Sequence, residues 1–271
     1  MHDFHLIKLC SWSVEKLIQI SFIHDNIVSL ATKQEGEQLM ENPMINYNGC
    51  TISTHRCLCF DKLTSKEQEL VDKNSVLIKY KKGEIICKQG SFVSHVMFVE
   101  KGLVKAFIDK GSSSLVLKII TDKNLLGHTS SNEDHNTFQY SAMAYVDTEI
   151  KQISIEVFRK LLKENGEFAK EVINILAANN IQIYGRFFCL THKQAYGRLA
   201  DIILCLSDRV FKLPEFELPL SRKELAELSG MSSETVIRML KKFSDDDLIV
   251  MKGKNFKVID RPKLKRISDT G

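Results

Sequence analysis

Between Tyr80 and Ile155 the apolar residues come in short β-branched and aromatic runs, "EIIC", "VMFVEKGLVKAFI", "SLVLKII" and "YSAMAYV", cut at Gly83, Gly90, Gly102 and Gly111. Short runs bounded by turn residues predict strands joined by tight turns, as in a compact antiparallel sandwich or barrel. The period then lengthens. "SIEVFRKLLKEN" predicts a short helix, Gly166 interrupts it, and a long helix follows over about 167–190. Along it Ile173, Leu176, Asn180, Ile183, Phe187 and Leu190 keep the 3-4-3-4-3 spacing of a coiled-coil seam. The stripe is narrow and its flanks carry Lys170, Glu171, Gln182 and Arg186, which favours a seam between two copies of the chain. The alternative is a helix packed only on its own domain. Asn180 is the polar exception, and a single seam Asn fixes register and partner number at a cost in stability.

Further along, "HKQAYGRLADIILCLSDRVF" predicts an amphipathic helix and "KLPEFELPL" a loop with a short strand. Residues 1–43 break the pattern: an apolar stretch without a clean period precedes the polar "ATKQEGEQLMENP". They read either as a short helical extension or as chain upstream of a natural start at Met44. The organisation expected is an extension over 1–43, a β-rich domain over 44–166, the long helix over 167–191 and a compact basic domain over 192–271.

Within that last domain, "LSRKELAELSGMSSETVIRMLKKFSDDDLIV" has the anatomy of a helix-turn-helix. Ser221 and Glu224 make a capping box for the first helix. Ala226 is small where a second helix must approach, Gly230 suits a positive-φ turn, and Ser232 is a natural N-cap. Val236 and Leu240 point to the core. Ser233, Glu234, Ile237 and Arg238 then face outward near the start of the second helix, the end that enters the major groove in such motifs. Arg donates to guanine O6 and N7, and Glu accepts from cytosine N4, so a Glu–Arg pair one turn apart suits G·C pairs; Glu234 would also hold the Arg238 side chain. The alternative is a solvated surface ion pair. "LIVMKGKNFKVID" predicts a hairpin turning at Lys252–Asn255, whose Lys252 or Lys254 reaches a phosphate. "SDDDL" reads as a helix end and turn, not a metal cage.

Charge supports a polyanion partner only weakly. Residues 192–271 carry 16 Lys and Arg against 12 Asp and Glu, while 1–191 are balanced at 22 each. The seven cysteines are odd in number and irregularly spaced, which points to a reducing cytoplasm. Asp3, Lys8, Glu15 and Lys16 break up the first apolar stretch, unlike a signal peptide, and no apolar run is long enough to span a bilayer. His128, His135 and His192 are scattered singly. No Ser/His/Asp order, carboxylate pair or phosphate loop favours an enzyme, so no catalytic residue is expected.

A Gly-punctuated β-roll, a long dimer helix and a winged helix-turn-helix, in that order, resemble the Crp/Fnr superfamily of bacterial transcription regulators. The carrying stretches, within about 57–267, are "KKGEIICKQG", "VMFVEKGLVKAF", "LLG", "QAYGRLADIIL", "LSRKELAELSGMSSETVIRML" and "LIVMKGKNFKVIDRPKL". The resemblance implies an α+β fold: an N-terminal β-roll (double-stranded β-helix, cupin-like) sensor domain, a dimerisation helix and a C-terminal winged helix-turn-helix. It implies base reading by Glu234 and Arg238, with Ser233 before the Glu and Ile237 tuning the outer bases. Phosphate contacts are expected from Arg222, Ser232, Thr235, Lys241 and Lys254. The implied partners are an inverted-repeat DNA duplex, a second copy of the chain, RNA polymerase and a small-molecule effector.

The sensor departs from the family pattern. Cyclic-nucleotide binders carry Gly-Glu and then an Arg-Ser/Thr-Ala segment. Here Gly127 stays, His128 replaces the Glu, and the Arg position falls near Phe138 or Gln139. No Arg occurs between Arg56 and Arg159, and a buried cyclic phosphate needs a charge-assisted donor, so cyclic AMP is not expected. Gly127, His128, Phe138 and Gln139 are the candidate effector pocket. The oxygen-sensing branch holds an iron–sulfur cluster on C-x2-C-x5-C plus a distant Cys. Here Cys50 and Cys59 keep the outer spacing, Ser53 takes the middle place, and Lys151 stands at the distant one. Free thiols are preferred to a cluster; Cys50, Cys57, Cys59 and Cys87 are the alternative set, and the alternative function is a redox or metal sensor that acts through the N-terminal cysteines or through protein contacts, the winged domain then being a docking surface. No metal or other cofactor is expected.

Overall fold

The computed structural model describes residues 52–53, 56–110, 113–130 and 136–271. The expectations for residues 1–43, Met44, Cys50, Gly111 and His135 lie outside them.

Alternation along the strands decides the layering. In β4 (His95–Lys101), Val96 and Phe98 join one core and Met97 and Val99 another. Period 2 puts neighbours on opposite faces, and a strand apolar on both faces must be covered on both. β4 lies in a four-stranded antiparallel sheet, ordered β2 (Ser75–Tyr80), β9 (Thr148–Ser154), β4, β7 (Asn124–Leu126). The second sheet has five strands, ordered β1 (Ile52–Ser53), β6 (Ser113–Thr121), β5 (Leu103–Lys110), β8 (Ser141–Ala144), β3 (Ile85–Cys87); β1 alone runs parallel to its neighbour. Met97, Val99 and Ile150 from one sheet meet Val104, Ala106, Ile120 and Ala142 from the other.

The outer face of the four-stranded sheet is covered by helices. Val96, Phe98 and Ile153 pack with Val71 of α1 (Ser65–Lys73), Phe158 of α2 (Ile155–Glu164) and Phe168, Val172 and Ile175 of α3 (Gly166–His192). Phe60 meets Phe98 and Phe168 edge-on, with ring centroids 5.2 and 5.9 Å apart, the arrangement the ring quadrupoles favour. The break between α2 and α3 lies at Asn165 instead of Gly166. Asn165 has φ −118° and its side chain accepts from Phe168 N at 2.9 Å, so Gly166 becomes the first helical residue.

The outer face of the five-stranded sheet is covered by the C-terminal part. Leu103, Val116, Ile119 and Tyr145 share one core with Leu225, Ala226 and Leu228. That part runs α4 (Ala195–Cys205), a π-helical turn over Leu206–Phe211, β10 (Glu215–Glu217), α5 (Arg222–Ser229), α6 (Ser233–Asp245), β11 (Ile249–Lys252), β12 (Asn255–Val258) and α7 (Arg261–Thr270). Its three strands order β10-β12-β11. The sequence marks α4 as amphipathic; α5, α6 and α7 all pack against it, and seven of its eleven residues are buried. Among the described residues no helix is long and apolar enough to cross a membrane.

Candidate nucleic-acid interface and sensor core

Local chemistry builds the helix-turn-helix. Glu224 N donates to Ser221 Oγ at 3.2 Å and Ser221 N donates back to Glu224 Oε2 at 2.6 Å, so two otherwise orphaned donors of α5 are satisfied. Gly230 ends α5 at φ 64°, ψ 42°, the left-handed C-cap. Ser232 then caps α6, accepting from Thr235 N at 3.2 Å. Val236, Met239, Leu240 and Phe243 are all buried, which anchors α6 by one face. The opposite face therefore leaves Glu234, Ile237, Arg238 and Lys241 exposed, with Ser233 and Thr235 half-buried beside them.

Glu234 sits in the first turn of α6. Hydrogen bonding from its own backbone N–H, then from Ser232, holds its carboxyl below the usual range. Among the described residues neither a hydrogen bond nor an ion pair joins it to Arg238, so in the DNA-free chain it does not hold the guanidinium. The helix start attracts the carboxylate more than an exposed cation does.

Of the phosphate candidates, Lys241 is exposed and Lys254 stands at the hairpin tip, where Lys252 pairs with Asn255 across the turn. Lys254 Nζ is 3.7 Å from Glu217, and both side chains are largely in solvent. The Ser232 and Thr235 hydroxyls are 3.1 Å apart. Arg222 is committed elsewhere: its Nη2 donates to Met251 Sδ at 3.4 Å, and burial lowers its pKa.

α3 carries two stripes, one residue apart around the helix. Phe168, Val172, Ile175, Arg186 and Cys189 are buried within the chain. Ile173, Leu176, Asn180, Ile183 and Phe187 are exposed, Phe187 by 68%. Leu190 differs from these five: it is half-buried, and a Cβ on Gly230 would lie 3.1 Å from its Cδ2, so it packs on the helix-turn-helix of its own chain.

The effector candidates separate. Gly127 has φ 78°, its N–H donates to Tyr140 Oη at 3.0 Å, and a Cβ there would lie 2.9 Å from the Phe138 ring. Gly127, Phe138 and Tyr140 thus fill one another's space. Gln139 is exposed and donates to Thr137 O at 2.9 Å, away from that core. His128 is buried, with Nε2 3.1 Å from Asn179 Nδ2, and Lys118 Nζ donates to Asn179 Oδ1 at 3.0 Å. This chain of three ties β6 and the turn after β7 to α3. Burial, then the Lys118 charge, pushes the His128 pKa down to about 3, so the ring is neutral. Among the described residues its Nδ1 has no hydrogen-bond partner. Burial lowers Lys118 to about 8. Lys118 and Asn179 were missed from sequence; a Lys inside the apolar run "LVLKII" is the one available signal.

His192 is exposed, stacked on Phe188 at 4.6 Å. Cys57 and Cys59 lie beneath the four-stranded sheet and Cys87 between the sheets, so three members of the alternative thiol set fall in two cores. Lys151 forms an ion pair with Asp72 at 2.7 Å.

The comparisons with known proteins agree with this architecture. Residues 77–165 match the family model of the cyclic nucleotide-binding domain, and residues 197–267 that of the Crp-like helix-turn-helix domain. The chain is 26% identical to the transcriptional activator protein anr of Pseudomonas aeruginosa, over 68% of this chain and 77% of that one. It is 24% identical to the cAMP-activated global transcriptional regulator CRP of Salmonella typhimurium, over 66% and 88%. The structure of FixK2 from Bradyrhizobium japonicum superposes with a TM-score of 0.65 at 19% identity, covering 71% of this chain and 96% of that one. A two-sheet sensor, a long helix and a capped, winged helix-turn-helix, with both family models matched in order, identify the chain as a member of the Crp/Fnr superfamily of transcription regulators.

Proposed function

We propose that the chain works in the cytoplasm as a homodimer that binds an inverted-repeat DNA duplex through α6 and passes the state of its sensor domain to RNA polymerase. The observation that carries the reading is the division of α6: an apolar face locked into the core and an exposed face bearing Glu234, Ile237 and Arg238. Arg238 supplies a bidentate donor for guanine, Glu234 an acceptor for cytosine, and Lys241 and Lys254 neutralise phosphates. The exposed apolar stripe of α3 supports pairing of two copies, because large apolar side chains at seam spacing gain most by being covered.

The effector is a molecule other than cyclic AMP. Tyr140 and Phe138 crowd Gly127, a neutral His128 stands where the family carries Glu, and Phe138 or Gln139, neither of them a cation, stands near the Arg position. No cluster or catalytic step belongs to this reading. Selection of bound sequences from a random duplex library tests it, followed by titration of the winner against salt. A two-fold symmetric consensus whose affinity falls with salt is expected. Binding without sequence preference would refute it and favour the winged domain as a protein-docking surface.

A further inference from the structure

A cleft of about 470 Å³ opens between the sensor sheets and the DNA-binding part, away from the α6 face and from His128. One wall is the β4–β5 turn, Lys101 to Leu103; the other is the π-helical turn, Arg209 to Lys212. Both walls are fixed. Gly102 has φ 129°, and a Cβ there would fall 2.4 Å from Thr148 Oγ1. The π turn is tied by Leu213 N donating to Ser207 O at 3.1 Å and by Ser207 Oγ donating to Leu213 O at 2.9 Å. Asp208 points away to Arg261, at 2.7 Å, which leaves Arg209, Val210 and Phe211 for the cleft. Isolated π turns recur at functional sites.

The charge in the cleft is unbalanced. Arg56, Lys101, Arg209 and Lys212 all line it, and among the described residues none of the four has an ion-pair partner. Two acids line it as well. Asp147 is already satisfied: Oδ2 accepts from Lys81 Nζ at 2.9 Å and Oδ1 from Lys82 N at 3.1 Å. Asp122 remains, against four cations. Leu103, Val146, Val210, Phe211 and Pro219 give the cleft an apolar floor. Its volume is that of a small-molecule site, and apolar walls with a few convergent charges are the usual composition of one.

We propose that this cleft binds a small phosphorylated molecule with an apolar ring, the phosphate held by Arg56, Lys101, Arg209 and Lys212 and the ring laid on Val146 and Phe211. Guanidinium forks match the oxygens of phosphate and carboxylate alike, and it is the excess of four cations over Asp122 that favours a doubly charged phosphate over a carboxylate of single charge. A bound molecule would touch both the sensor turn and the segment leading into the helix-turn-helix, so it would fix their relative orientation. That consequence rests on the DNA-binding reading; the binding itself does not.

Calorimetric titration of the full chain with 1-naphthyl phosphate tests the site, with inorganic phosphate and 1-naphthol as controls. One saturable site per chain is expected, tighter for the aryl phosphate than for either control. Arg209→Gln with Lys101→Gln should weaken it by about tenfold or more, the loss of two charge-assisted contacts, and Lys212→Glu should do the same. Lys254→Gln, at the wing, should leave it unchanged. No saturable binding, or binding indifferent to both cleft variants when their unfolding midpoints match the wild type, would overturn the proposal. Equal affinity for inorganic phosphate alone would overturn the two-part ligand. Lost phosphate binding with intact duplex selection in the wild type counts against this site only; intact phosphate binding without duplex selection counts against the DNA reading only.

Discussion

The Lys105 ammonium lies 2.9 Å from the Glu227 carboxylate across 122 residues of chain, joining the middle strand of the five-stranded sheet to the first helix of the helix-turn-helix. The Lys side chain is 7% exposed and the Glu 24%. Lys82 adds a second tie, its Nζ donating to Pro219 O at 2.6 Å. The orientation of the DNA-binding helices is thus set on the sensor sheet itself.

Removing one partner should leave the other charge poorly solvated. Lys105→Met and Glu227→Gln are each expected to cost about 2 kcal/mol in urea unfolding. The exchange Lys105→Glu with Glu227→Lys should recover much of that, and a double-mutant cycle measures the coupling. Additive losses in the exchanged protein would mean the pair is only adjacent.

The exposed stripe of α3 predicts the oligomeric state. Ile183→Glu with Phe187→Glu would bury two charges in a dimer seam, and sedimentation should then give monomers where the wild type gives dimers. Leu190→Ala should act differently. It loosens contact with Gly230 of the same chain, so stability should fall by about 2 kcal/mol without dissociation. An intact dimer in the double Glu variant would place the seam elsewhere.

At the interface with DNA the two classes of contact should separate. Arg238→Ala is expected to cost about 1–3 kcal/mol at one G·C pair and relax preference there. Lys254→Ala should weaken all duplexes alike and lower the salt slope by about one. Arg222→Ala should resemble neither, because its guanidinium is held by Met251 and its loss is felt in the wing. If Arg238→Ala keeps the wild-type preference at every position, α6 does not read bases through that side chain.

His128 predicts an acid-sensitive step. Its ordinary pKa of 6.5 falls to about 3 in the fold. Above pH 6.5 neither state is protonated and the ring adds no pH dependence. As pH falls from 6.5 toward 3 the unfolded chain takes up a proton that the folded chain refuses, and stability drops by up to about 1.4 kcal/mol per pH unit. His128→Gln cannot titrate and still bonds Asn179. Relative to the wild type it should gain about 2 kcal/mol in unfolding free energy at pH 5 compared with pH 7.5. No change in that difference would show that the ring is protonated or solvated in the fold.

How far the sequence reaches can be followed residue by residue. Ser221, Glu224, Gly230 and Ser232 determine the helix-turn-helix because capping and left-handed turns are local: each acts within three or four residues, and side-chain type alone specifies it. The strand runs and the α3 stripe were legible for the same reason, since period 2 and period 3.5 are properties of contiguous sequence. Pairing between distant residues is not. Lys105 meets Glu227, Lys118 meets Asn179, and Leu190 turns to Gly230 only because the second sheet packs beneath the helix-turn-helix. Whether a Lys is solvated or buried depends on what covers it, and the cover comes from residues far along the chain. The same holds for the effector pocket. Gly127, His128 and Phe138 could be placed by motif, but Gln139 faces solvent and Tyr140 faces the core, because adjacent side chains alternate and only packed sheets decide which face is inside.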